Sequence, residues 1–105
     1  ATVRVLWVSG EKRNETRPRA TRVRGWVAVH AAVKRQDRRP DDLIRGAIVG
    51  LVRLSDCIPA QLAATLASER ELKLGDYTSG RYAWKASERL TLVHPVEAKI
   101  GRAHV

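Results

Sequence analysis

Residues Gly46-Ala47-Ile48-Val49-Gly50-Leu51-Val52-Arg53-Leu54-Ser55-Asp56-Cys57-Ile58 contain the longest apolar run of the chain, and their reading decides the fold. Two glycines four apart disfavour a helix, because glycine loses the most backbone freedom on ordering. They suit a strand that curves or lets another backbone come close. We read residues 44–58 as a long, coiled central strand, the element a small barrel needs. Pro59 then opens a helix at its first position. Leu62, Ala63, Leu66 and Ala67 give that helix an i, i+3, i+4 stripe, and it is expected to end near Glu69-Arg70.

Toward the N-terminus, Gly25 to Ala32 is apolar apart from His30 and reads as a buried strand. The polar segment Val33 to Asp42 reads as an exposed, mobile connection to the central strand. Before Gly25 lies a basic loop, with Arg17, Arg19, Arg22 and Arg24 within eight residues. Glu11 to Arg17 is expected to be a strand. Thr2 to Val8 is β-branched and apolar, a strand or a strand entering a very short helix that Ser9-Gly10 ends. Toward the C-terminus, Lys73 to Gly80 is a loop and Arg81 to Ala86 a strand. Leu90 to Val93 and Val96 to Val105 add one or two more, with Pro95 interrupting. The sum is α+β, mainly β: a small β-barrel of five to six strands with one or two short helices.

Composition bounds the function. With 105 residues, residues 1–105 form one domain. Hydrophobic content of 44% against 30% charged favours folding over disorder. A formal net charge of +9 points to a polyanionic partner. The charge is uneven: residues 1–45 hold 12 Lys/Arg against 5 Asp/Glu, and residues 46–105 hold 8 against 6. The single cysteine, Cys57, excludes an internal disulfide and suits a reducing cytoplasm. Cys57 lies in an apolar stretch and reads as a buried, unreactive thiol. His30, His94 and His104 share no ligand-type spacing with it, so no metal site and no cofactor are expected. No apolar run approaches the roughly 20 residues of a membrane span, and no membrane partner is expected.

The chemistry concentrates in Gly10-Glu11-Lys12-Arg13-Asn14-Glu15-Thr16-Arg17, which reads G-x-K-x-x-E-x-R. In an extended segment Lys12, Asn14 and Thr16 face one way, and Arg13, Glu15 and Arg17 the other. Lys12 and Glu15 share a pocket only if the backbone turns or bulges between them, and the preceding glycine permits such a turn. Surface strands also carry such pairs by chance. Around the motif, Arg17, Arg19, Arg22 and Arg24 would neutralise phosphates. Tyr82, Trp84 or Trp26 would stack bases. Trp26 and Trp84, flanked by apolar residues, read more readily as core, and His30 as hydrogen-bonded structure rather than a ligand or base. Tyr77, in a Gly/Ser loop, is the more exposed aromatic candidate.

Several segments together resemble the ASCH family, whose fold is a PUA-like β-barrel. They are Gly10-x-Lys12-x-x-Glu15-x-Arg17, Arg24-Gly25-Trp26-Val27-Ala28-Val29-His30-Ala31, the run from Gly46 to Cys57, Tyr82-Ala83-Trp84 and Pro95-Val96-Glu97-Ala98-Lys99-Ile100-Gly101. The resemblance spans nearly the whole chain in the family's order. Family members carry a longer helix before the motif glycine, for which Trp7-Val8-Ser9 leaves almost no room. The cleft would then be more open or completed by another chain, so a homo-oligomer is a further expectation.

The resemblance implies an RNA-linked cleft protein. One ASCH branch hydrolyses N-acetylcytidine with a lysine and a threonine of the motif plus a glutamate elsewhere. Carried across, the lysine falls on Lys12, the threonine position holds Glu15, and Asp56 is the nearest acid at the end of the central strand. The leading expectation is RNA or a nucleotide-like ligand in a basic cleft that uses Lys12, Glu15, Arg17, Arg19, Arg22, Arg24, His30, Tyr77, Tyr82 and Trp84. The alternative is a small amidohydrolase on an N-acylated nucleoside, with Lys12, Glu15 and Asp56 as catalytic groups. In it Lys12 or Glu15 activates water, and Arg17 or a backbone N–H stabilises the oxyanion. A protein-interaction module is the third reading.

Overall fold

The computed structural model describes residues 3–32 and 45–99. The connection between Val33 and Asp42, the end of the last strand beyond Lys99, and His104 therefore lie outside the described residues. The central strand forms as the glycine-containing run suggests. Strand β3 spans Arg45–Pro59 and pairs along nearly all of its length with two neighbours. On one side is β2, Gly25–Ala32, and on the other β4, Tyr82–Lys99. Strand β1, Asn14–Arg17, adds to the far side of β4, so the antiparallel order is β1-β4-β3-β2.

This is a small α+β fold on one four-stranded sheet, and it corrects two expectations. Among the described residues the sheet is open, not a closed barrel. β1 and β2 occupy opposite edges, and the four residues of β1 cover only Tyr82 to Lys85. The C-terminal half also gives one long strand where two or three were expected. Pro95 does not end it. Ile48 pairs with Val96 and Gly50 with Thr91, so residues 92–95 bulge outward opposite Val49. A residue without an N–H is tolerated at such a bulge.

Helix α1, Val3–Ser9, replaces the expected N-terminal strand. Its β-branched residues favour strand locally, but packing decides otherwise. Trp7 and Val8 are buried in the core with Val29, Val52 and Leu54, and the Trp7 indole Nε1 donates to the Arg13 carbonyl at 3.2 Å. Burying two such side chains outweighs the few tenths of a kcal/mol by which their helix propensities fall short, being worth roughly 1.5–3 kcal/mol each. The helix stops at Gly10, whose φ of 88° suits glycine.

The helix expected from Pro59 to Arg70 is two. Helix α2, Ala60–Ala64, ends where Thr65 N and Leu66 N turn back on Leu62 and Ala63 carbonyls and the Thr65 hydroxyl donates to the Leu62 carbonyl. Helix α3, Glu69–Leu74, starts afresh with Ser68, whose hydroxyl accepts from Glu71 N at 3.1 Å. Among the described residues, no helix is long and apolar enough to cross a membrane.

Candidate functional site

The motif makes its site by breaking the strand early. Lys12 lies before β1 and its backbone N–H donates to the Leu6 carbonyl at 3.0 Å, so the chain turns between Gly10 and Asn14. From Asn14 onward the faces alternate. Asn14 and Thr16 lie in register with Lys85 and Ala83 on one face of the sheet, and Glu15 and Arg17 with Trp84 and Tyr82 on the other. The turn brings Lys12 to the Glu15 face. Its Nζ donates to Glu15 Oε1 at 2.9 Å, and both side chains are buried, Lys12 to 1% exposure.

Two further cations share that carboxylate. Arg4 Nε, from α1, is 3.9 Å from Glu15 Oε2, and Arg17 Nη2 is 3.7 Å from the same oxygen. Arg17 also lies over the Trp84 ring, 5.6 Å from its centroid. One carboxylate thus faces three cations. Arg17 Nη2 is buried and makes no hydrogen bond to a described residue, its approach to Glu15 being too long for one. Burial holds the Arg17 guanidinium below its ordinary value, with Arg4 and Arg81 adding to the effect and Glu15 opposing it.

The remaining sequence candidates divide. His30 is buried at the edge of this cluster, and its carbonyl accepts from Arg4 Nη1 at 3.1 Å. Trp84 is half-buried against the core, with its Nε1 donating to the Arg19 carbonyl at 2.9 Å, so it serves both core and cluster. Tyr82 is half-buried beside Arg17 in register. Arg19, Arg22 and Arg24 are exposed. The Arg24 guanidinium donates to the Thr21 and Val23 carbonyls and sits 3.8 Å from Asp56 Oδ1. Asp56 itself is exposed and in register with Lys85, on the face away from Glu15. The structure therefore does not bring Asp56 to Lys12.

Three smaller expectations are corrected. Tyr77 is half-buried rather than exposed, because its hydroxyl donates to Glu71 Oε1 and accepts from Asn14 Nδ2. Burial, with the Glu71 carboxylate assisting and the Asn14 amide opposing, pushes that phenol up to about 12. Trp26, read more readily as core, is 49% exposed on edge strand β2. Cys57 is half-buried rather than buried, and its Sγ accepts from Thr21 N.

Sequence reasoning missed Arg4 and Glu71. Arg4 had one signal, being the only charge in an apolar segment. Glu71 had another: Ser68 followed three residues later by Glu is capping-box spacing. Its carboxylate instead leaves the helix and accepts from Arg13 N at 3.0–3.1 Å and Asn14 N at 3.0 Å. That buried acid pins α3 to the start of β1. Among the described residues, no group of His, Cys, Asp and Glu is placed to hold a metal ion. No protein-family model matches the chain, and no curated protein matches it.

Proposed function

We propose that the Lys12–Glu15–Arg17 cluster, completed by Arg4 and Trp84, is an anion-binding cleft for RNA or a nucleotide-like ligand in an ASCH-type, PUA-like domain. The observation that carries this reading is the charge imbalance with an unfilled donor: three cations around one carboxylate, and a buried Arg17 Nη2 with no hydrogen-bond acceptor. A buried guanidinium nitrogen without an acceptor is costly, and a ligand phosphate or carbonyl oxygen supplies one. Trp84 beneath the guanidinium gives the stacked platform that single-stranded nucleic acid uses. The exposed Arg19, Arg22 and Arg24 extend the positive surface along the loop that follows β1. The family and the PUA-like fold rest on the sequence resemblance.

The hydrolase alternative is less well supported. It needs a lysine free to accept a proton, and Lys12 is held by Glu15 at 2.9 Å. It also needs a second acid, but Asp56 lies on the other face and Glu71 is turned to the Arg13 and Asn14 amides.

The test is fluorescence anisotropy of a short single-stranded RNA over a range of salt, with wild type and Arg4→Ala/Arg17→Ala. Affinity is expected to fall in the double variant. The slope of log K against log salt should become shallower by about 0.7 for each phosphate that the variant no longer neutralises. An unchanged affinity and slope would overturn the reading.

A further inference from the structure

A second cavity lies beyond the motif strand, away from the Lys12–Glu15 cluster. It measures about 730 Å³, a size that suits a small ligand. Asn14 and Lys85 line it from the face of the sheet opposite to Glu15 and Trp84. Ala86 and Arg89 reach it from the stretch of β4 that the short β1 leaves uncovered. Ala63, Leu66 and Ala67 of the α2 region form an apolar wall across from three cations, Arg13, Lys85 and Arg89.

Two of these three cations are unpaired among the described residues. Neither the Arg13 guanidinium nor the Lys85 ammonium has a hydrogen bond or ion pair to a described residue, whereas Arg4, Arg17, Arg24, Arg53, Arg70 and Arg81 each face a carboxylate. Arg89 is clamped by backbone: Nε donates to the Trp7 carbonyl and Nη2 to the Arg13 carbonyl, both at 2.9 Å, leaving Nη1 unused. The one carboxylate in the cavity wall, Glu71, spends its oxygens on two backbone amides and the Tyr77 hydroxyl. The cavity therefore presents a net positive region, with one guanidinium held in place, beside an apolar wall.

We propose that this cavity is a second binding site, for a phosphate monoester whose phosphate meets Arg13, Lys85 and Arg89 and whose organic part rests on Leu66, Ala63 and Ala67. Two unpaired positive side chains and a clamped guanidinium match a dianion, and the fixed Arg89 binds it with less ordering cost than a mobile donor. The phosphate belongs either to a free mononucleotide or to the 5′ end of an RNA chain. The site shares no lining residue with the Lys12–Glu15–Arg17 cluster.

The experiment is a titration of the ¹⁵N-labelled full chain with UMP, inorganic phosphate and uridine, followed by amide shifts, with Arg13→Ala/Lys85→Ala and Arg17→Ala as comparison proteins. UMP should shift amides around Ala63, Lys85 and Arg89 while uridine does not. The affinity read from these amides should fall tenfold or more in Arg13→Ala/Lys85→Ala, while in Arg17→Ala the same amides should still shift. Any UMP binding at the Lys12–Glu15–Arg17 cleft is read separately from amides around Arg4 and Arg17. Both substituted side chains in the first variant lie outside the core, and the single variant Lys85→Glu should give the same loss if the pair proves unstable. A 5′-phosphorylated and a 5′-hydroxyl RNA of one sequence then separate the sources. Tighter binding of the phosphorylated chain, lost in Arg13→Ala/Lys85→Ala, assigns the RNA end. UMP binding with no gain from the 5′ phosphate assigns the free ester. Absence of UMP-induced shifts at these amides, equal shifts there with uridine, or shifts there that are lost in Arg17→Ala and kept in Arg13→Ala/Lys85→Ala would overturn the proposal. Failure of RNA binding in Arg4→Ala/Arg17→Ala concerns the other face and leaves this result separable.

Discussion

At the scale of single residues, the pair Lys12–Glu15 behaves asymmetrically. Removing the carboxylate leaves Arg4, Lys12 and Arg17 together with no counter-charge, and Lys12 is fully buried. Removing the lysine leaves a carboxylate that two guanidinium groups still approach within 4 Å. An uncompensated buried charge costs about 3–5 kcal/mol. Glu15→Gln is therefore expected to destabilise by an amount in that range, and Lys12→Met by clearly less. Urea unfolding of the two variants checks the order, and a larger loss for Lys12→Met would contradict it. Buried ion pairs are weak sources of net stability, so the retention of this one fits a role in placing Arg4 and Arg17.

At the scale of elements, the packing of α1 on β3 and β4 runs through Gly50. A Cβ at that position would clash with the Val8 side chain and lie 2.5 Å from the Leu90 carbonyl oxygen. The first obstacle is a side chain; the second is backbone of the paired strand and cannot move without opening the β3–β4 ladder. Gly50→Ala is expected to cost about 3 kcal/mol, at the upper end of overpacking. Adding Val8→Ala in the same chain should not restore stability, since the carbonyl remains. Denaturation midpoints of the single and double variants decide it; a cost under about 1 kcal/mol, or full rescue by Val8→Ala, would show that the approach is looser.

At the scale of the whole molecule, the two ends of the described chain are tied by side chains reaching across to backbone. Glu71 holds the amides of Arg13 and Asn14, Arg81 Nη2 donates to the Thr16 carbonyl at 3.0 Å, and Arg89 holds the Trp7 and Arg13 carbonyls. Tyr77 belongs to this tie, and its phenol is raised from 10.0 to about 12. The unfolded chain therefore releases that proton first as pH rises. The stability linked to Tyr77 is complete below pH 10, declines above it and is lost as pH passes about 12. In a Tyr82→Phe background, the ultraviolet titration of the folded protein should give a midpoint near 12 for Tyr77. Glu71→Gln should lower it by removing the neighbouring negative charge. A midpoint at the ordinary tyrosine value in the folded protein would break the assignment.

Much was legible in the order of residues because it depends on neighbours in the chain. Periodicity and glycine spacing place β2 and β3 within a residue or so of where they form, but of the stripe expected for α2 only Ala63 is buried, Leu62 and Leu66 being exposed. The turn that would let Lys12 meet Glu15 was readable from Gly10, and the structure makes that turn. The unread features depend on partners far away in sequence. Segment 3–9 becomes a helix because Trp7 and Val8 find a core formed by β2 and β3, which outweighs local strand preference. Arg4 joins the cluster only through the angle of that helix. Glu71 leaves its own helix cap for amides 57 and 58 residues away. Local propensity and spacing are properties of the sequence, and they determined the strands, the turn and the excess of positive charge. Which cations share a carboxylate and which face a cavity without one, and whether the sheet closes, were decided by packing between distant segments, where burial energy exceeds any local preference.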